Sequence, residues 1–198
     1  MKPKSINNSA QSGFTLIELL VVVTIMMLLV GALLIDFNRQ RGVRGIQIAQ
    51  NETATNLRKV QAYSLSSRDL PDGSGAKYYL MEIDPSQVHP IRIGAVDDDY
   101  QYYQPELESI NLPPRVSIES MTLDGVPVNC LQLIFTVPYG TMYATNICGN
   151  SIAATLENPY EVAQLSQDMV NINLAAENIE NFFRTLQINP FTGQVSGI

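Results

Sequence analysis

With 198 residues, 12 Lys and Arg against 19 Asp and Glu, and a formal charge of −7, the chain has room for one globular domain plus an extra element. The acidic balance argues against sequence-independent nucleic-acid binding, which needs clustered Lys and Arg. One His and two Cys leave little material for a metal centre or a His-based nucleophile.

The hydrophobicity is lopsided. Phe14 to Ile35 holds a single charged residue, Glu18, and its 22 positions make a helix of roughly 33 Å, enough to cross a hydrocarbon core. A secretory signal peptide has a shorter apolar region and an A-x-A-like site after it; neither feature is present at Leu33 to Phe37. The run therefore reads as a retained anchor. Charge counting leaves its orientation open, because Lys2, Lys4 and the amino terminus precede the span while Arg39, Arg41 and Arg44 follow it.

A carboxylate inside an apolar helix costs several kcal/mol unless it is paired or near an interface, so Glu18 is either snorkelling at the membrane edge or functional. A cut between Gly13 and Phe14 would create an α-amino group within about one helical turn of Glu18. The same amine on a neighbouring subunit would neutralise the carboxylate, and a buried pair of that kind specifies register more than it adds stability.

The stretch Gly13-Phe14-Thr15-Leu16-Ile17-Glu18-Leu19-Leu20-Val21-Val22-Val23, behind a short leader with two Lys, resembles the prepilin cleavage and methylation signal of type IV pilins and type II secretion pseudopilins. That resemblance implies cleavage after Gly13 by a membrane prepilin peptidase, N-methylation of Phe14 and a role for Glu18 in assembly. It also implies a cytoplasmic leader, which settles the orientation. The implied partners are other pilin or pseudopilin subunits, the peptidase, an inner-membrane assembly platform with its ATPase, and the lipid bilayer before assembly; no cofactor and no nucleic acid are implied. Loss of Lys2 and Lys4 leaves 10 basic against 19 acidic residues, a net −9.

The segments expected are a leader at 1–13, a transmembrane assembly helix at 14–35, the second half of the same helix at 36–68 and a β-rich head at 69–198. Ile46, Ala49, Thr53, Leu57 and Val60 form an apolar stripe at helical spacing, so this second half should pack on the head. Gly31, Gly42 and Gly45 mark places for a bend, a melted stretch or a break between two helices. Leu70-Pro71-Asp72-Gly73-Ser74-Gly75 should end the helix.

Beyond that turn the pattern changes to strands. Lys77–Ile83, Val116–Met121, Cys130–Val137, Thr141–Cys148, Met169–Leu174 and Phe182–Ile188 are rich in strand formers or alternate, with turns at Asp124-Gly125, Pro138-Tyr139-Gly140 and Thr192-Gly193. Residues 94–114 and 149–168 read as loops or short helices. The expected class is α+β and pilin-like, a long N-terminal helix on a mostly antiparallel sheet. Leu57 to Ser64 and Leu186 to Val195 also resemble the helix end and closing strand of the H-type, FimT-like minor pseudopilins.

Cys130 and Cys148 would face each other across a hairpin folded about Tyr139, which with an exported head points to a disulfide; the alternative is two buried thiols. Asp97-Asp98-Asp99 beside Tyr100, Tyr102 and Tyr103 offers oxygen ligands to calcium or, more simply, a solvated acidic loop. The tyrosines suit a contact surface or packing on the sheet. His89 sits in a proline-bounded turn, and Glu106 and Glu108 read as surface charge. With no G-x-S-x-G, H-E-x-x-H, phosphate loop or CxxC, no catalytic residue is assigned. The functional expectation is a filament subunit, with a low-copy tip or priming subunit whose head binds a partner, such as secreted substrate or DNA, as the alternative.

Overall fold

A computed structural model describes residues 15–103, 106–149, 156–157, 169–177, 183–190 and 193–197. Gly13 and Phe14, the whole leader and nearly all of the expected loop at 149–168 lie outside the described residues. Two compact units are present, residues 1–40 and 41–198.

Helix α1 runs Leu16–Leu65, 50 residues long, and enters the second unit at Arg41. It stays helical through Gly31, Gly42 and Gly45. Gly45 has a packing reason instead of a hinge: an added Cβ would stand 3.1 Å from Val116 Cγ2, so a bare backbone lets the head come close. The predicted stripe Ile46, Ala49, Thr53, Leu57 and Val60 is buried throughout. Gln50 lies on the same face and its amide donates to the Thr185 carbonyl at 3.4 Å.

The head contains two five-stranded antiparallel sheets. The first has the order β3-β2-β1-β6-β7, with β1 Ala76–Ile83, β2 Ile91–Asp97, β3 Glu108–Ile110, β6 Leu131–Thr136 and β7 Met142–Thr145. The second has the order β10-β9-β8-β4-β5, with β4 Val116–Leu123, β5 Val126–Val128, β8 Val170–Ala176, β9 Phe183–Asn189 and β10 Gln194–Gly197. The α+β, pilin-like class read from the sequence holds. One apolar cluster joins the α1 stripe to one face of each sheet, through side chains such as Tyr79, Met81, Leu133, Phe135, Ile172 and Ile188. A smaller cluster on the other face of the first sheet gathers Leu80, Val96, Ile134 and Leu156, with Tyr78, Tyr100, Tyr102, Tyr143 and Ile147 around it.

Two local expectations need correction. Residues 94–114 were expected as loop or short helix, yet β2 covers the start of that span and β3 lies within it. A Pro at its entrance, an Arg and a Gly hide β2 from a pattern reading. Its stability comes from tertiary partners: Arg92 is ion-paired, and Gly94 makes room for Tyr102, whose hydroxyl oxygen would stand 2.5 Å from any Cβ there. The hairpin register also differs. The pairs Gln132↔Thr145, Leu133↔Ala144 and Ile134↔Tyr143 place the fold axis between Pro138 and Tyr139, one half-step from the position assumed. Cys130 and Cys148 are thus not an opposed ladder pair; both lie just outside the strands. They are joined by a disulfide with a Cα–Cα distance of 6.4 Å, because antiparallel pairing sets the end of β7 beside the start of β6.

Candidate functional site

The site begins at Thr15. Its hydroxyl oxygen accepts a hydrogen bond from the Glu18 N–H at 3.3 Å, while the Thr15 N–H and hydroxyl both donate to Glu18 Oε2 at 3.0 Å. The two residues form a reciprocal capping box, Thr-x-x-Glu, which satisfies backbone donors that the first helical turn leaves open. Glu18 therefore has a structural task within its own chain besides any task toward a neighbour. The Thr15 partnership was missed in the sequence reading, although Thr15-Leu16-Ile17-Glu18 carries the capping signature in plain view.

From Leu16 to Leu33 the helix is apolar and long enough to cross a membrane, and none of this window is buried within the chain. Exposure runs all the way round, from Leu16 at 82% to Val23 at 45%. Thr24 does not interrupt the apolar surface, since its hydroxyl donates to the Leu20 carbonyl at 2.8 Å. A helix that is apolar on every side has no stable place in water; it calls for lipid or for other apolar helices.

The other singled-out residues are distributed over the head. Asp97 Oδ1 accepts from the Asp99 and Gln101 N–H groups at 3.0 and 2.8 Å, shaping a turn that leaves Asp98 and Asp99 exposed. Among the described residues no group of three or more His, Cys, Asp or Glu is arranged to hold a metal ion. Tyr100 and Tyr102 pack with the smaller cluster and Tyr103 with the main core, so these rings belong to the sheet. His89 Nδ1 lies 2.8 Å from Asn111 Oδ1.

Glu106 and Glu108 are not simple surface charges. Glu108 pairs with Lys59 of α1, and Glu106 accepts from Arg92 Nη1 at 3.3 Å. Arg92 also pairs with Glu82, which is buried and whose second oxygen accepts from the Gly149 N–H at 2.8 Å. Tyr102 lies against this group, and burial, followed by the nearby Glu82 carboxylate, pushes its hydroxyl up to about 12. The network was invisible to sequence reading because it depends on β2.

These features hold a wall of the head together. No curated protein and no solved structure matches the chain. Residues 8–34 match the family described as the prokaryotic N-terminal methylation motif. That motif implies processing by a prepilin peptidase and assembly with other pilin subunits, a structural rather than catalytic task. The capped, fully exposed apolar helix and the motif that covers it thus place on this chain the prepilin-type signal of type IV pilins and pseudopilins.

Proposed function

We propose that the chain is a structural subunit of a type IV pilus or a type II secretion pseudopilus. It is cut after Gly13, N-methylated on Phe14, and held in the cytoplasmic membrane with its head outside the cytoplasm. An assembly platform and its ATPase then draw it into a filament. The observation that carries this reading is the coincidence of the methylation motif at 8–34 with an apolar helix that buries nothing within its own chain. Bilayer and filament core are similarly apolar, so transfer between them is near neutral and is decided by packing and by polar pairs.

Glu18 supplies such a pair. Before cleavage its carboxylate caps its own helix through Thr15. After cleavage the Phe14 amine of a neighbour offers a charged donor, and the exchange fixes the axial register between subunits. Mass spectrometry of the native N-terminus tests the proposal, with a chain starting at methylated Phe14 as the expected result. A start at Met1 in cells containing the peptidase would overturn it.

A further inference from the structure

Charge on this chain is segregated. Of the 19 acidic residues only Glu18, Asp36 and Glu52 precede residue 69, while beyond it only Lys77, Arg92, Arg115 and Arg184 are basic. The head portion of α1 runs the other way, with Arg41, Arg44, Arg58 and Lys59 against the single Glu52. Its face opposite the buried stripe presents Arg41, Arg44 and Arg58 to solvent, with the half-exposed Ile48 between them. Among the described residues none of these three guanidinium groups has an ion-pair partner; the salt bridges present use Lys59 and Arg92.

Three exposed carboxylates, Asp72, Asp98 and Asp99, lie toward the end of the head where α1 finishes, Asp72 with one oxygen held by the Ser74 N–H and hydroxyl. Asp98 and Asp99 are exposed at the end of β2, and Asp98 lies against the 70–75 turn, where an added Cβ on Gly75 would meet its Oδ2 at 2.6 Å. Asp72 stands exposed in that same turn. Lys77 is engaged with the Tyr100 ring and hydroxyl, and the exposed Arg68 guanidinium lies over the Tyr63 ring. From Arg41 to Leu65 the helix rises roughly 36 Å at 1.5 Å per residue, so the Arg41–Arg44 turn is far from the acidic group, whereas Arg58 and Lys59 lie within about 10 Å of the helix end nearest to it.

Resting on the filament-subunit reading above, we propose that the Arg41–Arg44 end of α1 docks on the Asp72, Asp98 and Asp99 rim of a second copy of this chain. The two surfaces are different and lie toward opposite ends of the α1 stretch within the head. Their contact is therefore heterologous; repeated without closing into a ring, it generates the open filament that the filament-subunit reading requires. Charge complementarity of this kind selects the partner and its register more than it adds affinity. Raised salt weakens it, because the groups are exposed.

The test is a charge swap in the full-length, processed chain, read as the polymer fraction sheared from cells and sedimented. Arg41→Glu with Arg44→Glu, and separately Asp98→Arg with Asp99→Arg, should each lower that fraction roughly tenfold, since facing like charges are strongly disfavoured. The quadruple variant should recover to within about threefold of the unmodified chain. Failure of the quadruple variant to recover, or indifference of either pair, overturns the docking. A defect confined to the arginine pair assigns those side chains to anionic lipid headgroups and also overturns it. If a reversal lowers the amount of chain, Arg41→Gln with Arg44→Gln replaces it: assembly of this variant should lose its salt dependence, and retained dependence counts against the contact. No polymer from the unmodified chain would sink the filament reading itself, whereas normal polymer from every variant sinks only the docking.

Discussion

The two stretches of α1 share one secondary structure and face opposite demands. Between Leu16 and Leu33 no residue is buried, whereas from Gly42 to Ser64 a stripe at helical spacing vanishes into the head. Apart from Glu18 near its start, the first stretch is apolar all round, and the second on one side only. Helix geometry is indifferent to this contrast; the solvent is not. The second stretch finds its apolar partner in its own chain, so its contribution is to fold stability. The first has no such partner, so its side chains matter only where lipid or other copies supply one.

Truncating each stretch should expose that division. Leu57→Ala removes a buried side chain from the main core and should cost about 2–5 kcal/mol of head stability. Leu20→Ala, at a position 60% exposed, should leave the head within about 0.5 kcal/mol of the unmodified chain. Denaturant unfolding of the full chain in detergent, followed by near-UV circular dichroism, reads both. Equal losses at the two positions would break the distinction.

The disulfide is a second device found only in the head. It closes a separation of 18 residues, for which chain-entropy reasoning gives about 3 kcal/mol. Cys130→Ala with Cys148→Ala should lower head stability by that order and leave the apolar segment's membrane insertion unchanged. Equilibrium unfolding beside a carbonate-extraction assay of membrane association checks the two halves of the statement.

How far the sequence revealed these parts depends on where each one's stability originates. The α1 stripe and the Asp124-Gly125 turn rest on local periodicity and on backbone preference. The turn closes β4 on β5 with φ of +51° and +75°, as a two-residue hairpin favours, and it was legible. Strand β2 was not, because Arg92 and Gly94 make sense only beside Glu82, Glu106 and Tyr102. The cysteine pairing was expected from a register one half-step away from the true one, an error that arises because turn geometry, not composition, sets register. At the N-terminus the motif was legible in full, while the Thr15 partnership with Glu18 was overlooked beside the intermolecular role.

That partnership predicts a smaller and more local effect than either head substitution. Thr15→Ala removes both hydroxyl contacts and should speed amide exchange in the first turn of α1 by about fivefold, with the head unaffected. Hydrogen exchange in micelles resolves the turn, and protection unchanged from the parent chain would mean that the box contributes nothing.

The subtlest contrast is in alkali. Tyr102 titrates at about 12 in the folded head against about 10 in an unfolded chain, because burial and the Glu82 carboxylate disfavour its anion. A raised pKa means that the folded head holds its proton where the unfolded chain has lost it. The stabilising contribution is fully present below pH 10 and is lost as pH rises toward 12. Tyr78 and Tyr79 are also raised, chiefly by burial, so the head should weaken in alkali through several groups. Tyr102→Phe should flatten part of that decline without shifting behaviour near neutral pH beyond the loss of one hydroxyl. Stability measured by denaturant at pH 9, 10 and 11 isolates the slope, and an unchanged slope would remove Tyr102 from the account. The apolar stretch Leu16–Leu33 contains no tyrosine, so its helix content should hold across the same window.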